Sequence, residues 1–274
     1  MPQPFDRTTG ASHMPYMKTQ DFSMYYETIG TGPPVLLIHG LGSDHRGWEY
    51  QENDLKQHFR LVVPDLRGHG QSEGGFTDFI PAHQFAEDLD HLLTHLHLDR
   101  VRVVGHSLGG IVAQQFVLDF PHRVEKLVLV DTTPKVTEEI ADVVLGWREA
   151  QLEGGNEAYF WATVRSGFTP QWVKNNPDIV NHLKERAADI KIEGVVAAGL
   201  GLAVTDLVDR LQEISAPTLI LHGDRDGIIN IKMGRLINKG IKGSSLHVFK
   251  RCGHSPTVEK RAEFNRALIS YLKD

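Results

Sequence analysis

Short apolar runs alternate with amphipathic stretches along most of the chain. Val35-Leu36-Leu37-Ile38 carries no polar position, and a run that is apolar on both faces belongs inside a parallel sheet. Phe59 to Pro64, Val101 to Val104, Val124 to Val130, Pro217 to Gly223 and Leu246 to Phe249 read the same way, while Phe22 to Ile29 alternates like a half-buried strand. Between these runs, Ile80 to His97 places Phe85, Leu89, Leu92, Leu93 and Leu96 on one helical stripe. Ile111 to Leu118 suits a buried helix, and Glu259 to Leu272 closes the chain as an amphipathic one. The alternation predicts an α/β fold with a mostly parallel sheet flanked by helices.

The alternation stops from about Lys135 to about Thr205. The pattern there predicts helices over Glu138 to Glu153, Asn156 to Gly167, and Asp178 to Gly201 with a break near Asp189. The sheet-bearing core is therefore expected in residues 17–134 and 206–274, with residues 135–205 as a helical insertion. Aromatic residues concentrate in that insertion. Trp147, Trp161 and Phe168 are expected to line an apolar pocket over the strand ends. The alternative is that these aromatics, with Tyr159, Phe160 and Trp172, only form the insertion's own small core.

Composition narrows the class. Hydrophobic residues at 41% and charged residues at 23% of 274 are ordinary for a globular chain, and no stretch approaches a membrane helix. The net charge of −6 offers no basic footprint, so no nucleic-acid or membrane partner is expected. A single cysteine, Cys252, cannot form an intramolecular disulfide, and it is read as a packing residue. Residues 1–16 mix polar residues and proline without the apolar core of a secretory signal, which makes the cytoplasm the default expectation. Within them Gly10-Ala11-Ser12-His13-Met14 reads like a cloning scar, leaving Met14 and Met17 as alternative natural starts of a chain whose first 16 residues are expected to be flexible.

Chemistry concentrates in the loops that follow the apolar runs. Gly105-His106-Ser107-Leu108-Gly109-Gly110 sits between a strand and a helix, the context of a nucleophile elbow. The bland alternative is a Gly/Ser-rich turn. A serine needs a base to take its proton, and the base needs an acid to hold its tautomer. The chain offers an acid after the penultimate strand, at Asp224 or Asp226, and then His254 after the last strand. Parallel strands would bring all three loops to one sheet edge. His39-Gly40-Leu41-Gly42-Ser43 ends at that edge too and can aim backbone N–H groups at a developing negative charge. Asp65, Arg67 and His69 are read as loop-fixing residues. His91 and His95 lie four apart without a third ligand, so no metal site is expected. The His106 side chain is expected to point away from the reacting centre.

These segments together resemble the α/β-hydrolase family from Phe22 to Asp274: His39-Gly40-Leu41-Gly42, Asp65-Leu66-Arg67-Gly68-His69-Gly70-Gln71-Ser72, the Gly105 to Gly110 elbow, Gly223-Asp224-Arg225-Asp226 and Gly253-His254. The resemblance is closest to small carboxylesterases and 3-oxoadipate enol-lactonases. It implies Ser107 as nucleophile, His254 as general base, the N–H groups of Leu41 and Leu108 as oxyanion hole, and the insertion as a cap. Family members of this type carry the acid at the end of a Gly-x-x-Asp segment, which selects Asp226. Asp224 becomes a turn residue, and Asp131 a rarer placement of the acid. Relatives that act on haloalkanes or epoxides use aspartate at the elbow, whereas this chain has serine. Carbon–carbon bond hydrolases often call on a cap arginine, for which Arg148 and Arg165 are the matches. Asn230 departs from a frequent proline without touching the chemistry.

The expected activity is cleavage of a small-molecule carboxylic ester through an acyl-enzyme, without metal or organic cofactor. A lactonase or carbon–carbon hydrolase uses the same parts, perhydrolysis would replace water by peroxide, and a non-catalytic binding protein on this scaffold is the alternative from another class.

Overall fold

The computed structural model describes residues 16–75 and 78–274. The expectation for residues 1–16 therefore lies outside the described residues, apart from Tyr16. Among the described residues nine strands form one sheet: β1 (Tyr16–Lys18), β2 (Phe22–Ile29), β3 (Pro34–Ile38), β4 (Arg60–Pro64), β5 (Glu73–Gly74), β6 (Val101–His106), β7 (Val124–Val130), β8 (Thr218–Gly223) and β9 (Ser245–Phe249). Their order is β1-β2-β4-β3-β6-β7-β8-β9, with β5 paired to β2. From β4 to β9 every neighbouring pair is parallel, and β2 joins that block antiparallel to β4. All loops that leave the parallel strands forward thus emerge along one edge.

The apolar runs owe their composition to burial on both faces. Leu36, Ile38, Val103, Leu127, Leu129 and Ile220 join one core cluster, while Val35, Leu37, Val104, Val128, Val130 and Leu221 join another. The period of two along each strand sends neighbours to opposite sides. On the first side lie α2 (Ala82–His95) and α3 (Leu108–Asp119), and on the second α1 (Glu49–Leu55) and the last helices. Every residue of α3 from Leu108 to Gln114 is buried. Its glycines permit this, since a Cβ at Gly109 would collide with the carbonyl oxygens of Ile38 and His39.

The insertion comprises α4 (Glu138–Gly167), α5 (Pro170–Asn175), α6 (Pro177–Ala187) and α7 (Ile192–Ala203). The predicted gap after Glu153 is a kink in α4, where Gly154 and Gly155 leave helical geometry. The predicted break near Asp189 separates α6 from α7. Phe160, Val164 and Val180 form a small core with Trp161, Phe168 and Trp172 packed on it. The last helix belongs to the main body: Ala197, Ala198 and Leu202 enter the first core cluster, and the Ile80 N–H donates to the Ala197 carbonyl at 3.0 Å. Gly194 lies so close to Gly68 that any side chain there would strike its carbonyl. After the insertion come α8 (Ile231–Gly240), α9 (Pro256–Glu259) and α10 (Arg261–Lys273), so the predicted closing helix is broken at Lys260.

The polar loop after β4 is tied by side chains. Asp65 is fully buried and accepts from the His45 N–H at 2.6 Å, from His45 Nδ1 at 2.8 Å and from the Gln71 N–H at 2.7 Å. Arg67 forms a two-pronged pair with Asp88, at 2.8 and 2.7 Å, and His69 Nδ1 donates to the Arg67 carbonyl. Asp65→Ala orphans three donors and is expected to lower stability by about 3–5 kcal/mol, read from the denaturant midpoint. Burial opposes charge on His45, but its bond to Asp65 and the nearby carboxylates raise its pKa overall. That contribution is full below about pH 6.5 and is lost as pH rises through the raised folded value. The stability gap between wild type and Asp65→Ala is therefore expected to narrow between neutral and alkaline pH; a gap that widens with pH contradicts the assignment.

Candidate active site

Ser107 stands at the tip of the β6–α3 turn with φ 56° and ψ −120°, a left-handed conformation that costs a non-glycine residue on the order of 1–3 kcal/mol. Its backbone is held from both sides. The Ser107 N–H donates to the Val130 carbonyl at 2.9 Å, and its own carbonyl accepts from Thr132 Oγ1 at 2.7 Å. A Cβ at Gly105 would strike the Gly109 backbone, so the strand and the helix approach this closely only through glycine. Leu108 opens α3, and no intrahelical carbonyl can reach its N–H.

His254 follows β9, and its Nδ1 lies 2.7 Å from Asp226 Oδ2. The other carboxylate oxygen, Oδ1, accepts from the Ile228 and Ile229 N–H groups, both at 2.8 Å. Burial pushes the Asp226 carboxyl up, yet the His254 ring beside it, the bond between them, His222 and the backbone amide hold it below its ordinary value. An ionised Asp226 fixes the proton of neutral His254 on Nδ1 and leaves Nε2 with a lone pair. Asp224 is elsewhere: it accepts from the Cys252 N–H at 3.4 Å and lies 4.0 Å from Lys250 Nζ, as a turn residue does. Asp131, with φ 42°, accepts from the Gly223 N–H at 2.8 Å. Burial first, and the Asp226 charge second, push its pKa well above the ordinary carboxylate value.

A cavity of about 230 Å³ opens over these groups, with Ser107, His254, Leu41 and His106 among its lining residues. His39 fixes the loop that bears Leu41. Its Nε2 accepts from the Leu66 N–H at 3.0 Å, which places the proton on Nδ1, facing the Gly40 carbonyl at 2.8 Å. Burial keeps this ring neutral. The insertion supplies the opposite wall through Trp147, Tyr159, Phe160, Val164 and Phe168.

Two expectations need correction. Trp161 does not line the cavity; it packs against Phe160 at 5.2 Å between ring centroids, on the insertion's own core. Its neighbour in sequence is turned inward, and successive residues on a helix lie about 100° apart. The His106 side chain does not point away. Its Nε2 donates to the His254 carbonyl at 2.8 Å, and the two rings lie 5.0 Å apart. Burial lowers its pKa to about 3, so it is a neutral strut under the His254 loop.

Arg148 and Arg165 do not line the cavity, whereas Arg46, paired with Asp44, and Arg186, paired with Asp44 and Glu49, do. His95 Nε2 lies 3.2 Å from the Tyr26 hydroxyl. Cys252 is fully buried and burial pushes its thiol up, so it is not a reactive thiolate. Sequence reasoning missed Glu259. Its carboxylate accepts from the Gly253 N–H at 2.9 Å and from Thr169 Oγ1 at 2.6 Å, and the His254 N–H donates to the Gly167 carbonyl at 2.8 Å. These bonds lock the histidine loop to the end of α4.

A serine hydroxyl, an imidazole bonded to a buried carboxylate, and N–H groups at a helix start are the parts that acyl transfer requires. No helix among the described residues is long and apolar enough to cross a membrane. Comparison with known proteins agrees on the fold. A structure of a thermophilic esterase from Thermogutta terrifontis is 30% identical, covers 92% of this chain and 93% of its own, and superposes with a TM-score of 0.84. A 3-oxoadipate enol-lactonase from Acinetobacter baylyi is 28% identical over 94% of this chain and 96% of its own length. An uncharacterized protein of Mycobacterium tuberculosis is 32% identical over 87% of this chain and 75% of its own. The family model described as alpha/beta hydrolase fold matches residues 33–260, and the chain belongs to that family.

Proposed function

We propose that the protein is a serine hydrolase that cleaves small carboxylic esters through an acyl-enzyme intermediate. The observation that carries this reading is the 2.7 Å bond between His254 Nδ1 and Asp226 Oδ2, on a histidine that shares a cavity with Ser107. In this reading His254 Nε2 takes the Ser107 proton as Oγ attacks the ester carbonyl. Asp226 holds the tautomer and stabilises the imidazolium. The N–H groups of Leu41 and Leu108 receive the oxyanion, and His254 gives its proton to the leaving alcohol. Water then takes the alcohol's place, is deprotonated by His254, and releases the acid. The helices of residues 135–205 act as a cap that bounds the acyl pocket and excludes water.

The size of the cavity favours short substrates, since about 230 Å³ lies below the ~300–1,000 Å³ common for drug-sized ligands. Rates on p-nitrophenyl esters of increasing acyl length are expected to peak at short chains and to fall at least tenfold by about eight carbons. A fast lactone beside feeble esters would move the reading to a lactonase, the activity named for the Acinetobacter baylyi relative. Ligand binding without turnover would favour a binding protein on this scaffold.

A further inference from the structure

The hydroxyl of Tyr159 takes no part in the chemistry above, yet it is buried and belongs to a residue that lines the cavity. Tyr159 lies on the second half of α4, is only 3% exposed and lines the cavity. Its ring meets Trp147 edge-on at 6.3 Å. Its Oη reaches across to the main body and touches Gly42 so closely that a Cβ there would overlap it. Gly42 is the residue after Leu41.

This hydroxyl has no hydrogen-bond partner among the described residues. A buried, unpaired hydroxyl is unfavourable, and a phenyl ring would fill the same place without that penalty. Burial alone pushes its pKa up, so it is a neutral donor throughout the working pH range. The neighbouring Trp147 differs, because its indole N–H is already spent on Ser166 Oγ at 3.0 Å. A buried polar group left open beside Trp147, Phe160, Val164 and Phe168 is the kind of contact that orients a ligand.

We propose that Tyr159 Oη–H donates a hydrogen bond to a second acceptor oxygen of the substrate, so that the preferred substrates are esters or lactones bearing a further carbonyl, amide or carboxylate oxygen near the scissile carbonyl. The inference rests on the hydrolase reading given above, with the ester oxygen at the Leu41 amide. Adjacent Cα atoms are about 3.8 Å apart, so a hydroxyl against Gly42 sits one residue step from that amide. An oxygen two or three bonds beyond the scissile carbon spans such a distance, whereas a plain alkyl chain presents only C–H there and leaves the hydroxyl unpaired. Tyr159 is then a specificity residue, remote from the proton transfers of Ser107 and His254.

The test compares methyl 3-oxobutanoate with methyl butanoate, two esters of equal chain length, by pH-stat with wild type and Tyr159→Phe. Intrinsic reactivity cancels when the preference for the oxo ester, as a ratio of kcat/KM values, is compared between the two enzymes. The preference is expected to fall about tenfold or more in Tyr159→Phe. An unchanged preference, whether both rates fall together or neither falls, overturns the proposal. A second measurement does not depend on turnover: chemical-shift titration of methyl 3-oxobutanoate into Ser107→Ala and into Ser107→Ala/Tyr159→Phe. Binding about tenfold weaker in the double variant supports the contact, and equal binding overturns it. If wild type hydrolyses neither ester, the hydrolase reading fails on the first measurement while the second still decides the role of Tyr159.

Discussion

Ser107→Ala is expected to lower kcat for ester hydrolysis by about 10⁵–10⁶-fold, the loss that follows when a nucleophile acting as a unit with its base is removed. The residual rate would come from the oxyanion N–H groups and from substrate positioning. The substitution is clean because it deletes only Oγ. The backbone bonds to Val130 and Thr132 remain, and alanine bears the left-handed conformation no better and no worse than serine. Ser107→Gly separates chemistry from strain: it is expected to lose turnover equally but to gain about 1 kcal/mol of stability, since glycine adopts φ 56° freely. Active-site titration with a fluorophosphonate supplies a second readout, with label expected on wild type and absent from both variants. Turnover or labelling that survives in Ser107→Ala would place the nucleophile elsewhere.

The parallel sheet was legible because its strands are buried on both faces. Val35 to Ile38 and Val124 to Val130 have no solvent side to mark with a polar residue, so their runs stand out from the amphipathic helices around them. The kink at Gly154 and Gly155 was legible for a local reason as well, the poor fit of two glycines in a helix. Ser107, Asp226 and His254 could be placed in loops after β6, β8 and β9 because parallel strands send those loops to one edge. Two short helices gave too little pattern: α1 buries only Gln51 and Leu55, and α5 buries nothing.

Side-chain direction in the insertion was not legible, since it depends on how α4 docks on a distant part of the chain. Trp147, Tyr159 and Trp161 all have the composition of a core or of a pocket wall, and only how α4 docks, with Tyr159 against Gly42, separates them. The same holds for His106 and Glu259. Each owes its role to a contact across more than one element, with the His254 loop for one and with Thr169 for the other.

Asp226→Asn is expected to lower kcat by about 10⁴-fold, while Asp131→Asn and Asp224→Asn each lose less than tenfold. The asymmetry follows from charge. Asp226 is ionised and accepts the His254 Nδ1–H; an amide there can offer its own N–H instead, forcing the histidine into the tautomer with the proton on Nε2, where it cannot take one from serine. Burial and the nearby Asp226 charge disfavour the ionised form of Asp131, so an amide of the same shape changes less there than at Asp226. Its raised pKa also fixes a sign. A carboxyl that holds its proton in the fold but loses it on unfolding costs stability once pH exceeds the unfolded value of about 4. Asp131→Asn should therefore gain stability relative to wild type as pH rises from 4 toward neutrality, and calorimetric melts at several pH values would show it. The same pair explains any turnover left in Asp226→Asn. Removing the Asp226 charge removes one of the causes that raise the Asp131 pKa, and the facing oxygens of Asp131 and Asp226 lie with the His254 nitrogen within 4.8 Å of one another. A freed Asp131 carboxylate would partly restore the histidine's orientation, so residual activity in Asp226→Asn should vanish in the Asp226→Asn/Asp131→Asn double variant. Near-equal losses in the two single variants would instead mean that the carboxylates act as one unit, and Asp226 would no longer be the acid by itself.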